Sequence, residues 1–232
     1  MSSLKTTARV TGLLYLGVAI TGLLGFLVIR SALYVPDSAV ATAANLVAQE
    51  GLARLGIALE LGVVLTQALV AVWFYLLFRP VQPVAGAFIA AFGMVNAVAI
   101  LVSAAALTGA LAATLDPTLA PGGDTAAIAQ LMYVLSGALW TGGGLFFGLW
   151  LIPMGYAVIV SGWMPRLLGQ VLIVGGAGYI LASFVAVLVP AAPQALDLIL
   201  TIPATIGEFW MIGYLLIFGV RSGAGESPVK SA

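Results

Sequence analysis

The chain of 232 residues contains no cysteine and no histidine. Without cysteine there is no disulfide, no thiolate metal site and no cysteine nucleophile. Without histidine the usual general base, the usual haem ligand and the commonest zinc ligand are missing. No H-E-x-x-H, G-x-S-x-G or P-loop motif occurs either. We therefore expect no cofactor and no metal site, and an enzyme is the least supported class of function.

Charge is scarce as well. Charged residues make up 7% of the chain, and eight Lys and Arg balance eight Asp and Glu, so nothing indicates a nucleic-acid partner. Apolar residues make up 62%, and the mean hydropathy is +1.19. Soluble domains are about 45–50% apolar. This excess predicts a membrane protein whose main partner is the lipid bilayer.

Six apolar stretches are long enough to cross a bilayer, for which a helix needs about 20 residues. They lie near 9–29, 53–78, 84–113, 125–160, 166–189 and 195–220. We predict an all-α, polytopic transmembrane helical bundle that forms one integral membrane domain over 1–221, followed by a disordered cytoplasmic tail over 222–232. The fourth stretch is too long for a simple span, so the glycines at 142–144 and Pro153 predict a kink or a cytoplasmic extension there.

The basic residues predict the orientation of these spans. With the amino terminus inside, the inner face receives six of them and the outer face only Arg30 and Arg54. The positive-inside rule therefore places both termini in the cytoplasm, in a plasma (inner) membrane. The segment 37–50 then becomes a short amphipathic helix on the outer face, begun by Asp37 or Ser38 and ended by Gly51. It is either a lid over an outward-facing cavity or a connector on the lipid headgroups.

Two carboxylates, Glu60 and Glu208, lie inside the apolar stretches. A charge at mid-bilayer costs roughly 2.5 kcal/mol or more, so intramembrane acids are candidates for function. Helical spacing places Gln67 on the face of Glu60 and Thr205 on the face of Glu208. The full set of candidates for ligand binding or proton relay is Glu60, Glu208, Gln67, Asn96, Arg54, Thr205 and Tyr179.

These candidates leave two classes of function open. Glu60 and Glu208 are predicted on parallel spans at depths reached from the outer side, so one shared polar pocket is a hypothesis. A small or lipid-like ligand bound there would indicate a transporter or a sensor. Alternatively, each acid is protonated and only locks neighbouring helices, as in a structural or accessory subunit. Small residues such as Gly144 and Gly148, four apart, predict close helix packing under either hypothesis.

Several sequence blocks resemble an uncharacterised bacterial membrane family, the domain of unknown function 4386. They are GLLYL (12–16), VPDSA (35–39), EGLARLG (50–56), YLLFRPV (75–81), GLWLIPMGY (148–156), SGWMPRLLG (161–169), GY (178–179) and PATIGE (203–208). The resemblance implies one integral membrane domain, with Glu208 as a recurrent feature and Asp often at the position of Glu60. Some relatives have His where this chain has Trp150, so a haem or metal role of that position cannot operate here. The family brings no established activity, substrate or cofactor.

Overall fold

The computed structural model describes residues 2–189 and 191–221, which form seven helices and no strand. The predicted tail over 222–232 lies outside the described residues. The helices are α1 (Ser2–Gly22, continued by the π-helical segment Leu23–Ile29 and by Arg30–Leu33), α2 (Ala39–Ala48), α3 (Glu50–Phe78), α4 (Pro83–Leu115), α5 (Thr125–Ser161), α6 (Arg166–Leu188) and α7 (Gln194–Ile217).

All of these helices except α2 are long and apolar enough to cross a membrane. They coincide with the six apolar stretches, so the prediction of an all-α chain with six spans is confirmed. Helices are expected because backbone groups inside the hydrocarbon core have no water to bond and must bond within the helix. The cytoplasmic position of both termini and the outer position of α2 remain predictions.

The described residues pack into two compact units. Unit 1 takes in the chain up to Leu16, the segment Ala68–Met94 and the chain from Gly144 onwards. Unit 2 takes in Gly17–Gln67 and Val95–Gly143. Helices α6 and α7 belong to unit 1 and α2 to unit 2, while α1, α3, α4 and α5 contribute residues to both.

In unit 1, α5 and α6 pack through facing glycines. A Cβ on Gly148 would lie 2.5 Å from the carbonyl oxygen of Gly176. One on Gly155 would overlap the carbonyl of Gly169, so these positions require glycine. Gly144 of α5 faces Ser183 of α6, and a Cβ on Gly144 would lie 3.0 Å from the Ser183 hydroxyl. The predicted close packing of Gly144 and Gly148 is therefore confirmed, and the structure extends it to Gly155.

In unit 2, α1 and α3 approach closely at small residues. A Cβ on Gly17 would lie 2.8 Å from the methyl of Thr66, and one on Gly62 would lie 3.0 Å from the methyl of Thr21. Because glycine lacks a side chain, the backbones of α1 and α3 can approach each other closely at these positions. This contact positions α1 beside the part of α3 that carries Glu60.

Helix α1 departs from regular α-helix within this contact. Leu23–Ile29 is π-helical, and Gly25 is buried inside it. A Cβ on Gly25 would lie 3.3 Å from Cβ of Leu59. An extra residue in one turn rotates the side chains of the later part of α1 about the helix axis. Such π-helical turns occur often at functional sites. The sequence instead predicts an irregularity in α5, at the glycines 142–144 and Pro153.

Helix α5 instead runs unbroken through the glycines at 142–144 and through Pro153 for 37 residues. At 1.5 Å per residue this is about 55 Å, well beyond a hydrocarbon core of roughly 30 Å. The helix is thus continuous at these positions, and the cytoplasmic extension stays a prediction.

Helix α2 begins as predicted but does not end as predicted. The Ser38 hydroxyl accepts a hydrogen bond from the Ala41 N–H at 3.2 Å, which caps the helix. The helix ends at Ala48, because Gln49 leaves the helical conformation with φ −123° and ψ 43°. The prediction that Gly51 ends it was wrong, since Gly51 lies in the first turn of α3.

Replacing Ser38 by alanine should lower the free energy of unfolding by about 1 kcal/mol, because the Ala41 N–H loses its acceptor. Thermal unfolding of the detergent-solubilised protein, followed by circular dichroism, measures the change. Ser31→Ala is the control, since the Ser31 hydroxyl only bonds carbonyls of its own helix. Equal melting temperatures for the two variants would contradict the assignment of Ser38 as a cap.

The segment between α4 and α5 forms two short 3₁₀ turns, Pro117–Leu119 and Pro121–Gly123. Asp116 orders the first, because its carboxylate accepts from the Thr118 hydroxyl at 2.6 Å and from the Thr118 N–H at 3.0 Å. Both donors favour the ionised carboxylate and so lower the pKa of Asp116. The Asp124 carboxylate accepts from the Ala127 N–H at 2.9 Å and caps α5.

Candidate ligand-binding site

Glu60 lies inside unit 2 and is only 3% exposed. One carboxylate oxygen, Oε1, accepts a hydrogen bond from the Trp140 indole N–H at 2.9 Å. The other, Oε2, has no hydrogen-bond partner among the described residues. A buried acceptor without a donor costs about 1–3 kcal/mol, and more when it is charged. Half of this carboxyl group is therefore not satisfied by the described residues.

Two buried side-chain amides of unit 2 also lack hydrogen-bond partners among the described residues. Gln67 and Asn96 are 0% and 1% exposed, and no described residue bonds either the oxygen or the nitrogen of either amide. The Asn96 oxygen lies beside α5, where a Cβ on Gly143 would be only 2.9 Å away. Because Gly143 is one turn from Trp140, Asn96 and Glu60 adjoin neighbouring parts of one α5 face.

Arg30 joins this cluster through hydroxyl groups. Its Nη1 donates to the Ser136 hydroxyl at 2.8 Å, and its Nη2 donates to the Tyr133 carbonyl at 2.6 Å. The Ser136 hydroxyl in turn lies 2.8 Å from the Ser103 hydroxyl, and Ser103 also interacts with the Glu60 carboxylate. Two serines, both 0% exposed, thus lie between the cation and the carboxyl group.

Aromatic rings hold the Arg30 guanidinium in place. Its central carbon lies 5.3 Å from the ring centre of Phe26, 5.1 Å from that of Tyr34 and 5.3 Å from that of Tyr133. Such cation–π contacts contribute about 0.5–2 kcal/mol each. Gly137 leaves room for the guanidinium, since a Cβ there would lie 3.0 Å from Nη2. Within the described part of the chain, no carboxylate lies within 4 Å of Arg30.

Glu208, in unit 1, differs from Glu60 in that both of its oxygens have donors. The Tyr15 hydroxyl donates to Oε1 at 2.6 Å, and the Tyr179 hydroxyl donates to Oε2 at 3.2 Å. Tyr15 is buried and packs edge-on against Phe74 and Trp150, with ring centres 5.5 Å and 5.4 Å apart. This carboxylate ties three helices of unit 1 together.

A family model described as Domain of unknown function (DUF4386) matches residues 10–219 of the chain. The protein belongs to the DUF4386 family. The resemblance seen in the sequence blocks is thereby confirmed over nearly the whole chain. Searches of curated proteins and of solved structures found no match. This DUF4386 protein is a multi-pass membrane protein by its six helices, and the family description assigns no activity.

The candidate residues of this DUF4386 protein fall into two groups. Glu60, Gln67 and Asn96 belong to unit 2, together with Arg54. Glu208, Tyr179 and Thr205 belong to unit 1, where Thr205 is exposed, donates to the Thr201 carbonyl at 3.3 Å and also interacts with Tyr179. Each acid has its own partners within its own unit, and a pocket shared by both acids stays a prediction.

Arg54 lies at the surface of unit 2. Its guanidinium bonds the Glu50 carboxylate at 2.7 Å, and the two side chains are 62% and 41% exposed. Exposed pairs at this four-residue spacing contribute only about 0.3–0.5 kcal/mol. Arg54 therefore pairs with Glu50 at the surface and lies outside the cluster built around Glu60.

The most informative residues that the sequence analysis missed are Arg30 and Trp140. Arg30 was counted only as a loop charge, although Phe26, Arg30 and Tyr34 recur every four residues and so indicate an aromatic stripe around a cation. Trp140 carries no comparable signal, because its partner Glu60 is 80 residues away in the chain. Among the described residues, no group of three or more His, Cys, Asp or Glu lies together as a metal site.

Proposed function

We propose that this DUF4386 protein binds a small polar or lipid-like ligand in the interior of unit 2, as a transporter or sensor in a bacterial plasma membrane. One observation carries the proposal. Five polar atoms of Glu60, Gln67 and Asn96 are buried without a hydrogen-bond partner from the described residues. Native proteins leave few such atoms, and clusters of them call for a partner from outside the chain. Access from the outer side follows from the predicted orientation.

The extent of the cluster favours a molecule over a single ion. Glu60 and Gln67 are seven residues apart on α3, which is about 10 Å along the helix. One monatomic ion cannot contact both side chains at that separation. A polar molecule of several atoms, or such a molecule with ordered water, satisfies donors and acceptors along the whole length. The mixture of a carboxylate and two amides supplies both kinds of hydrogen-bonding group.

A structural role is the second candidate, and Glu208 favours it. Both of its oxygens are bonded by tyrosines from α1 and α6. A carboxyl group fully bonded between helices stabilises their packing without binding anything else. We therefore assign the two acids different roles, ligand binding for Glu60 and helix locking for Glu208.

Native mass spectrometry of the protein extracted in mild detergent tests the ligand-binding role. The wild type should carry an additional non-covalent mass that is lost from Glu60→Gln and from Asn96→Leu. Glu50→Gln is the matched control, because it removes an exposed carboxylate of the same unit and should keep the ligand. Circular dichroism confirms that each variant is folded. The same bound mass in all four proteins, or none in the wild type, would contradict the proposal.

A further inference from the structure

Two buried serines of unit 2 lie between the Arg30 guanidinium and the Glu60 carboxyl group. Arginine has only donors, so Arg30 must donate to the Ser136 oxygen. The Ser136 proton is then free to point to Ser103, 2.8 Å away. The bond between the two serines is therefore polarised away from the cation, and Glu60 Oε2 receives no hydrogen bond from them.

With Glu60 ionised, the charges of this cluster cancel. The negative charge of its carboxylate then balances the positive charge of Arg30, while the serines, Gln67 and Asn96 are neutral. A ligand with a net charge would leave that charge uncompensated inside the span, at a cost of roughly 2.5 kcal/mol or more. The cluster therefore favours a ligand whose own charges sum to zero.

Both charged groups also have bonding capacity left. Glu60 Oε2 has no donor among the described residues. Arg30 has five N–H donors, and the structure assigns one to Ser136 and one to the Tyr133 carbonyl. Its side chain is half-buried, and its remaining N–H donors have no acceptor assigned among the described residues. An ammonium group suits the free carboxylate oxygen, and an acidic group suits the free guanidinium donors.

We propose that the unit 2 site takes a zwitterionic ligand, with its ammonium group at Glu60 and its carboxylate or phosphate at Arg30. This inference rests on the proposed ligand-binding function and names the chemical class of the ligand. An uncharged polar molecule would also keep the site neutral, but it would leave both charged groups without a charged partner.

The spacing of the two groups limits the ligand further. Ser136, bound to Arg30, and Trp140, bound to Glu60, are four residues apart on α5, which is about 6 Å along the helix. The charges of glycine are too close together to meet both groups. Several atoms must separate the ammonium and the acid, as in γ-aminobutyrate or in phosphoethanolamine. The latter chemistry occurs both as a free molecule and as the headgroup of phosphatidylethanolamine.

Isothermal titration calorimetry on the full chain in nanodiscs of phosphatidylglycerol tests the charge pattern. γ-Aminobutyrate and phosphoethanolamine should bind at least tenfold more tightly than butylamine, butyrate and glycine. Glu60→Gln and Arg30→Gln should each weaken binding of the two zwitterions at least tenfold, and Arg30→Lys should weaken it less than Arg30→Gln. Glu50→Gln and Arg9→Gln, which remove exposed charges, should have no effect. Circular dichroism checks that every variant is folded.

A second set of titrations distinguishes a free zwitterion from a lipid headgroup as the ligand. If a lipid headgroup is the ligand, nanodiscs that contain phosphatidylethanolamine should abolish binding of the free zwitterions, and this lipid should remain bound to the purified wild type. If the ligand is free, the lipid should change nothing. Either result supports a zwitterion.

Butylamine or butyrate binding as tightly as γ-aminobutyrate would overturn the inference, as would the absence of binding by every probe in both lipids. The ligand-binding function is judged separately. If native mass spectrometry finds an uncharged molecule that depends on Glu60, the function stands and the zwitterion assignment fails.

Discussion

Gly178→Ala should lower the free energy of unfolding by about 3 kcal/mol, the largest effect expected of a single added methyl group in this protein. Gly178 lies on α6, and a Cβ there would overlap the carbonyl of Leu200 on α7. Backbone atoms cannot move aside as the end of a flexible side chain does, so the two helices must separate. Separation removes the apolar contact between α6 and α7 over several turns.

Thermal unfolding in detergent, followed by circular dichroism and by size-exclusion chromatography of the heated sample, measures this effect. Gly213→Ala on α7 is the matched control, because nothing lies within 4 Å of a Cβ at that position. It should raise stability by about 1 kcal/mol, the difference in helix propensity between glycine and alanine. If both variants shift the melting temperature in the same direction, the close approach of α6 and α7 at Gly178 is contradicted.

Glu208→Leu is expected to destabilise the protein by about 2–4 kcal/mol. The substitution leaves the hydroxyls of Tyr15 and Tyr179 without their acceptor, at about 1–3 kcal/mol for each buried group. Glu208→Gln should be much milder, because the amide oxygen accepts from one tyrosine and the amide nitrogen donates to the other.

Removal of the tyrosine hydroxyls provides the decisive comparison. The triple variant Tyr15→Phe, Tyr179→Phe, Glu208→Leu should recover most of the stability lost by Glu208→Leu, because no polar group is left unpaired. Thermal unfolding of the wild type, Glu208→Leu, Glu208→Gln and the triple variant measures the recovery. A triple variant less stable than Glu208→Leu would mean that the tyrosine hydroxyls stabilise the protein through partners other than Glu208, and it would contradict the helix-locking role of Glu208.

The local parts of the fold were predictable because their causes are local. The cap at Ser38 follows from one hydroxyl at a helix start, and the packing at Gly144 and Gly148 from small residues four apart. The bonds of the two acids were not predictable in the same way. Trp140 is 80 residues from Glu60, and Tyr15 is 193 residues from Glu208. Periodicity within one helix says which face a residue occupies, but not which helix covers that face.

Composition and the length of the apolar runs were enough to establish a six-span helical membrane protein, because the bilayer leaves a chain of this hydropathy few alternatives. They also singled out Glu60 and Glu208, because a carboxylate in an apolar span is costly wherever it lies. The difference between the two acids came from packing. Tyrosines donate to both oxygens of Glu208, while one oxygen of Glu60 and the amides of Gln67 and Asn96 in the same unit have no partner among the described residues. Hydrogen bonding between distant segments is a property of the assembled helices, and it distinguishes the fully bonded Glu208 from Glu60, which has one oxygen without a partner among the described residues.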